Sequence, residues 1–80
     1  MRVSLNGVLR ASVGGAASVD VEAATIKELL TRLEVRFPDL SEDLARGIAV
    51  AIDGVVYRDD WTQKIPPDAE VVLMPRIEGG

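Results

Sequence analysis

The 80-residue chain contains no cysteine and no histidine. Without cysteine there are no disulfides, no thiolate metal ligands, no iron–sulfur ligation and no nucleophilic thiol. Without histidine the commonest general base near neutral pH and the commonest neutral metal ligand are both missing. Self-contained catalysis and a resident metal are therefore not expected. The adjacent acids Glu42-Asp43 and Asp59-Asp60 have no histidine to complete a site and are read as solvated or capping groups. Aromatics are scarce, one each at Phe37, Tyr57 and Trp61, so aliphatic side chains must fill the core. No apolar run approaches the roughly 20 residues of a membrane-spanning helix. Met1 leads into Arg2-Val3-Ser4-Leu5 with no long apolar leader, so a cytoplasmic location without a membrane partner is expected. Nine Lys and Arg against 13 Asp and Glu give a formal charge of −4, which argues against nucleic acid and favours a basic protein surface as complement.

What is present is ordinary globular material: 48% hydrophobic and 28% charged residues. Eighty residues are room for one domain, taken as 1–80, near the size at which a single core only just overcomes chain entropy. Val3 and Leu5 alternate with Arg2, Ser4 and Asn6 as in a half-buried strand, which Leu9 would extend. Gly14-Gly15 permits a reversal, lacks the context of a phosphate-binding loop, and leads to a second strand around Val19 and Val21. Together these predict a hairpin with a long connection.

Thr25 followed by Glu28 is a capping-box signature for a helix. Ile26, Leu29, Leu30, Leu33 and Phe37 then form one apolar stripe, and Pro38 predicts an end near Phe37. Leu40 and Leu44 could dock a short turn after it. The run Ile48 to Ile52 meets Asp53-Gly54, a strong two-residue hairpin signal, and returns through Val55-Val56-Tyr57. A two-residue turn puts Val55 and Tyr57 toward the core, whereas a bulge puts Val56 there. Residues 58–69 read as a loop with Ile65 as its buried anchor, and Trp61 either covers the core or serves as an interface anchor. The last strand, from Glu70 to Met74, turns Val71 and Leu73 one way and Val72 and Met74 the other before Pro75. An outward Val72 and Met74 would form an apolar patch able to dock a partner.

The chain closes on Gly79-Gly80. A Gly-Gly ending arises by chance in about one chain in two hundred at average glycine usage. Two residues without side chains put a carboxylate on a tether thin enough to enter a narrow channel. The predicted order, strand, strand, helix, strand, strand, strand, running into Pro75-Arg76-Ile77-Glu78-Gly79-Gly80, resembles the ubiquitin-like β-grasp fold. Within it the chain is most similar to the sulfur-carrier (MoaD/ThiS-like) family, which includes the small subunit of molybdopterin synthase and the carrier of thiamine thiazole synthesis. Leu9-Arg10 with Gly14-Gly15, the helix start at Thr25 and Val50-Ala51-Ile52-Asp53-Gly54 share the likeness.

The resemblance implies an α+β fold: a mixed five-stranded sheet packed on one main helix, with a flexible tail over 76–80. It implies that the chain is a carrier and not itself an enzyme, and that it binds no cofactor of its own. The Gly80 carboxylate would be adenylated by a separate activating enzyme using ATP and Mg, and sulfur from a donor would replace AMP to leave a thiocarboxylate. A synthase such as the molybdopterin synthase large subunit would accept that sulfur. Gly79 would keep the tether slender, Ile77 with Met74 and Val72 would seat the tail and the sheet against the partner, and Arg76 could meet an acidic group there. Carriers for thiamine, cysteine or another metabolite remain open. So does a ubiquitin-like modifier joined to lysine through Gly80, or an interaction module whose tail is inert.

Overall fold

The computed structural model describes residues 1–76, and residues 77–80 lie outside the described part. Five strands form one mixed sheet: β1 (Arg2–Leu5), β2 (Ser18–Asp20), β3 (Ile48–Ile52), β4 (Val55–Tyr57) and β5 (Val71–Pro75). Their order across the sheet is β2-β1-β5-β3-β4, with β1 and β5 parallel and every other pair antiparallel. Two helices, α1 (Ile26–Arg36) and α2 (Leu40–Arg46), fall between β2 and β3. The first and last strands thus lie side by side within the sheet, with β5 held between β1 and β3 over Val71–Leu73 and by β3 alone at Met74 and Pro75.

Period-two burial explains β1, where Val3 and Leu5 have no exposed surface while Arg2 and Ser4 point away. The strand stops at Leu5, short of the expected extension to Leu9. Gly7 adopts φ +59, which breaks the ladder after the Asn6 N–H has donated to the Leu73 carbonyl at 2.9 Å. The chain then winds through a 3₁₀ segment, Gly7–Val13, whose Leu9 and Val13, four apart, turn into the core. Leu9 is therefore buried as expected, but from a helical turn.

Helix α1 begins as the capping signature predicts. Thr25 Oγ1 accepts from the Glu28 N–H at 3.2 Å, and Glu28 Oε1 reaches back to the Ala24 N–H at 3.0 Å, one residue before the usual partner. Its stripe of Ile26, Leu29, Leu30 and Leu33 is buried in the same cluster as the inward residues of β1, β3 and β5. The first N–H groups of the helix are satisfied by the 58–69 loop: Ile26 donates to the Gln63 carbonyl at 3.0 Å and Lys27 to that of Trp61 at 2.8 Å. Ile65, 6% exposed, anchors this loop, and Trp61 is half-buried against the core.

The segment expected to be a short turn is a two-turn helix, α2, with Leu40 buried and Leu44 half-buried. Asp43 is not solvated as its sequence setting suggested. It is buried at 7% exposure and accepts a hydrogen bond from Ser12 Oγ at 2.5 Å, which ties α2 to the 3₁₀ segment. Among the described residues no buried side-chain polar atom lacks a partner.

The β3–β4 connection is a two-residue turn with Asp53 at φ +49 and Gly54 at φ +85, and the pairing of Ile52 with Val55 leaves no room for a bulge. Val55 nonetheless does not enter the core. It is 55% exposed and Val56 46%, because β4 is a three-residue edge strand lying at the limit of the helix layer. Only Tyr57 reaches the core, half-buried.

Candidate functional site

The site is the end of β5 from which the chain's last residues depart. Val71 and Leu73 are each 1% exposed and face α1, while Val72 and Met74 are half-buried on the other face. Pairing places Val72 beside Ser4 on β1 and Ala51 on β3, with Val56 next in the row, and places Met74 beside Ala49. This middle of the outer face bears no charge, and neither helix covers it. The predicted apolar patch is thus assembled from three strands, and alanines at 49 and 51 keep it low.

At the edge of the patch the chain is fixed by one backbone contact. The Arg76 N–H donates to the Gly47 carbonyl at 3.1 Å, one step beyond the pairing of Pro75 with Ile48. Gly47 closes α2 with φ +107 and ψ 133, angles that residues with side chains avoid. A methyl group there would stand 3.4 Å from Arg76 Cδ and 3.5 Å from its Cβ. Those are ordinary contact distances, so it is the backbone angle of the turn out of α2 that calls for glycine here. The Arg76 guanidinium meets the carboxylate of Asp59 at 3.5 Å, an exposed pair of small energetic weight.

Of the residues singled out from sequence, Val72, Met74 and Arg76 thus lie together along the end of β5. Ile77, Gly79 and Gly80 fall outside the described residues, as does the expected tail over 76–80 apart from Arg76. Gly47 escaped the sequence reading, although glycine directly after a helix ending in Arg46 is the usual signal for such a position. The acids at 59 and 60 are occupied locally: Asp59 by Arg76, and Asp60 by the N–H of Thr62 at 3.1 Å and its hydroxyl at 2.5 Å. Among the described residues no cluster of three or more acidic, histidine or cysteine side chains could hold a metal ion, and no helix is long and apolar enough to cross a membrane.

Comparison with known proteins gives a consistent picture. The chain matches the ThiS family over residues 3–80. No functionally curated protein matches it. Its structure is similar to CysO of Mycobacterium tuberculosis, with TM-score 0.79 and 21% identity over 95% of this chain and 98% of that one. It is similar as well to the chain matched in the BexX/CysO complex of Amycolatopsis orientalis, with TM-score 0.77 and 24% identity over 99% and 98% of the two chains. SAMP1 of Haloferax volcanii matches with TM-score 0.75 and 21% identity over 99% and 97%. At these identities the structural likeness establishes the fold, a ubiquitin-like β-grasp.

Proposed function

The chain belongs to the ThiS family, whose members are small carrier proteins and not enzymes, and from that premise we propose that it carries sulfur as a thiocarboxylate on Gly80. The observation supporting this most directly is a family match that runs through Gly79 and Gly80, in a chain with neither cysteine nor histidine to offer another sulfur carrier or base. The described end of β5 suits the role. It is hydrogen-bonded to its neighbours up to Arg76, flanked by an uncharged face on which a partner can rest, and free of any group that would itself perform chemistry.

The reaction has two steps, both carried out by the partner's groups. The Gly80 carboxylate attacks the α-phosphorus of ATP, held with Mg2+ in an adenylating enzyme, and the α–β phosphoanhydride breaks to release pyrophosphate. A carboxylate is a poor electrophile, and the acyl-adenylate cures this by making AMP the leaving group. A hydrosulfide equivalent from a sulfur donor then adds to the carbonyl carbon, the bond to AMP breaks, one proton is lost, and a thiocarboxylate remains. The chain's contribution is placement: Gly79 and Gly80 supply a narrow tether, Ile77 and Met74 seat it, and Val72 extends the contact across the sheet. We assign the sulfur to cofactor biosynthesis, with the large subunit of a molybdopterin synthase as first acceptor on the strength of the strand-to-Gly-Gly ending. Thiamine or cysteine biosynthesis comes second.

A second reading has a specific observation behind it, the likeness to SAMP1, described as a small archaeal modifier protein in Methanosarcina acetivorans. Here a lysine ε-amine attacks the same adenylate and forms an isopeptide. Pyrophosphate exchange into ATP by the cognate adenylating enzyme tests the shared first step. Exchange that depends on the chain and disappears when Gly79 and Gly80 are deleted, with the fold retained, supports it. Exchange unaffected by the deletion overturns it. Gly-Gly remnants on lysines of other proteins would select the modifier.

A further inference from the structure

Beside the root of the tail a groove of about 560 Å³ opens between α1, the end of α2 and the 58–69 loop. Its apolar lining comes from Leu30, Leu44, Ile48 and Trp61. Its charged lining is Lys27, Arg46, Arg58 and Arg76 against Glu34 and Asp59. The groove thus collects four of the chain's nine lysines and arginines, a cationic surface on a protein whose formal charge is −4.

Arg76 is already paired with Asp59 at 3.5 Å, but the other three cations are weakly compensated among the described residues. Lys27 and Arg58 make no ion pair among the described residues, and Arg46 approaches Glu42 and Asp43 only at 3.8 and 3.9 Å. Lys27 also occupies the first turn of α1, where the helix dipole favours an anion. Such an arrangement works against the isolated fold, and a negative group entering the groove would relieve it. The apolar lining strengthens that attraction by displacing water as the groove is filled.

Arg76 lines the groove and also begins the tail. The four residues that follow can span at most about 14 Å, so any protein engaging Gly80 stands within reach of this surface. We propose that the groove receives a carboxylate-bearing segment of the adenylating enzyme that takes the tail, with Lys27, Arg46 and Arg58 as its counter-charges and Trp61 as its apolar contact. This rests on the carrier reading above and adds to it a second contact, on the helix side of the molecule, away from the outer sheet face.

The test is the double variant Lys27→Glu with Arg58→Glu. Both side chains are exposed, and a glutamate at 27 suits the helix N-terminus, so the fold is expected to stay intact, checked by thermal melting. Calorimetric titration into the cognate adenylating enzyme at several salt concentrations should show binding weakened about tenfold or more, with a shallower salt dependence. Lys27→Arg with Arg58→Lys should bind as the wild type does. Equal affinity and equal salt dependence in the charge-reversed protein would overturn the groove proposal while leaving the carrier reading intact. ATP binding to the isolated chain that the reversal abolishes would also overturn it, in favour of a nucleotide site. A wild-type chain that the enzyme binds but never adenylates would overturn the carrier reading, and this proposal with it.

Discussion

Replacing Gly47 by alanine probes how the fold presents its reactive end. At φ +107 and ψ 133 a side-chain-bearing residue is strained by about 1–3 kcal/mol. Alanine also restricts the unfolded chain and returns about 0.4–1 kcal/mol. If the backbone shifts to relieve the strain, the 3.1 Å bond from the Arg76 N–H weakens, at a cost of about 1 kcal/mol. The two costs are alternatives, so with the strain retained the net destabilisation is about 1–2 kcal/mol, which lowers Tm by roughly 5–15 °C in a domain of this size. The new methyl group itself stands at an ordinary contact distance, 3.4 Å, from Arg76 Cδ, so it is a backbone shift, acting through the Arg76 N–H bond, that falls on the root of the tail. Misplacing a reacting group costs an enzyme steeply, and adenylation efficiency, kcat/KM, should fall about tenfold or more. Gly54→Ala is the control. At φ +85 with no atom within 4 Å of the new methyl group, it strains the β3–β4 turn far from Arg76; it should cost about 1 kcal/mol and leave adenylation unchanged. Thermal melts and adenylation kinetics on the two variants decide the matter. A Gly47→Ala protein that melts with the wild type and is adenylated at full efficiency would refute the reasoning.

Two further perturbations test other links. Thr25→Ala removes the oxygen that accepts from Glu28 at 3.2 Å; it should lower stability by about 1 kcal/mol, seen as a reduced urea midpoint with unchanged slope, and Thr25→Ser should restore it. Met74→Gln keeps side-chain length on the outer face while removing its apolar end; the melt should barely change and affinity for the adenylating enzyme should weaken about fivefold. Unchanged affinity would remove Met74 from the docking surface.

The elements governed by local rules were legible in the sequence. The Thr25 cap, the Ile26 to Leu33 stripe, the stop before Pro38 and the Asp53-Gly54 turn each depend on residues within a few positions of one another, and each formed where the pattern placed it. Leu9 misled because a strand period and a one-turn helical return both bring it to the core side, and only the φ of Gly7 selects between them. Val55 misled because alternation tells which face a residue takes, whereas its exposure depends on β4 lying at the sheet edge, a property of the strand order. Asp43 gave no local sign of its partner, since Ser12 is 31 positions away. The outward Val72 and Met74 were legible from period two alone; Gly47, and the groove gathered from α1, α2 and the 58–69 loop, were not, because their meaning is where the chain brings them.

The central claim concerns one atom at the chain's end. Incubation of the protein with its adenylating enzyme, ATP and a sulfur donor, followed by mass analysis of the C-terminal peptide, reads that atom directly. The account predicts a peptide ending at Gly80 in which one oxygen is replaced by sulfur, formed only when ATP is present. A C-terminal peptide that retains both oxygens, with an enzyme shown to be active on the chain by pyrophosphate exchange, would contradict it.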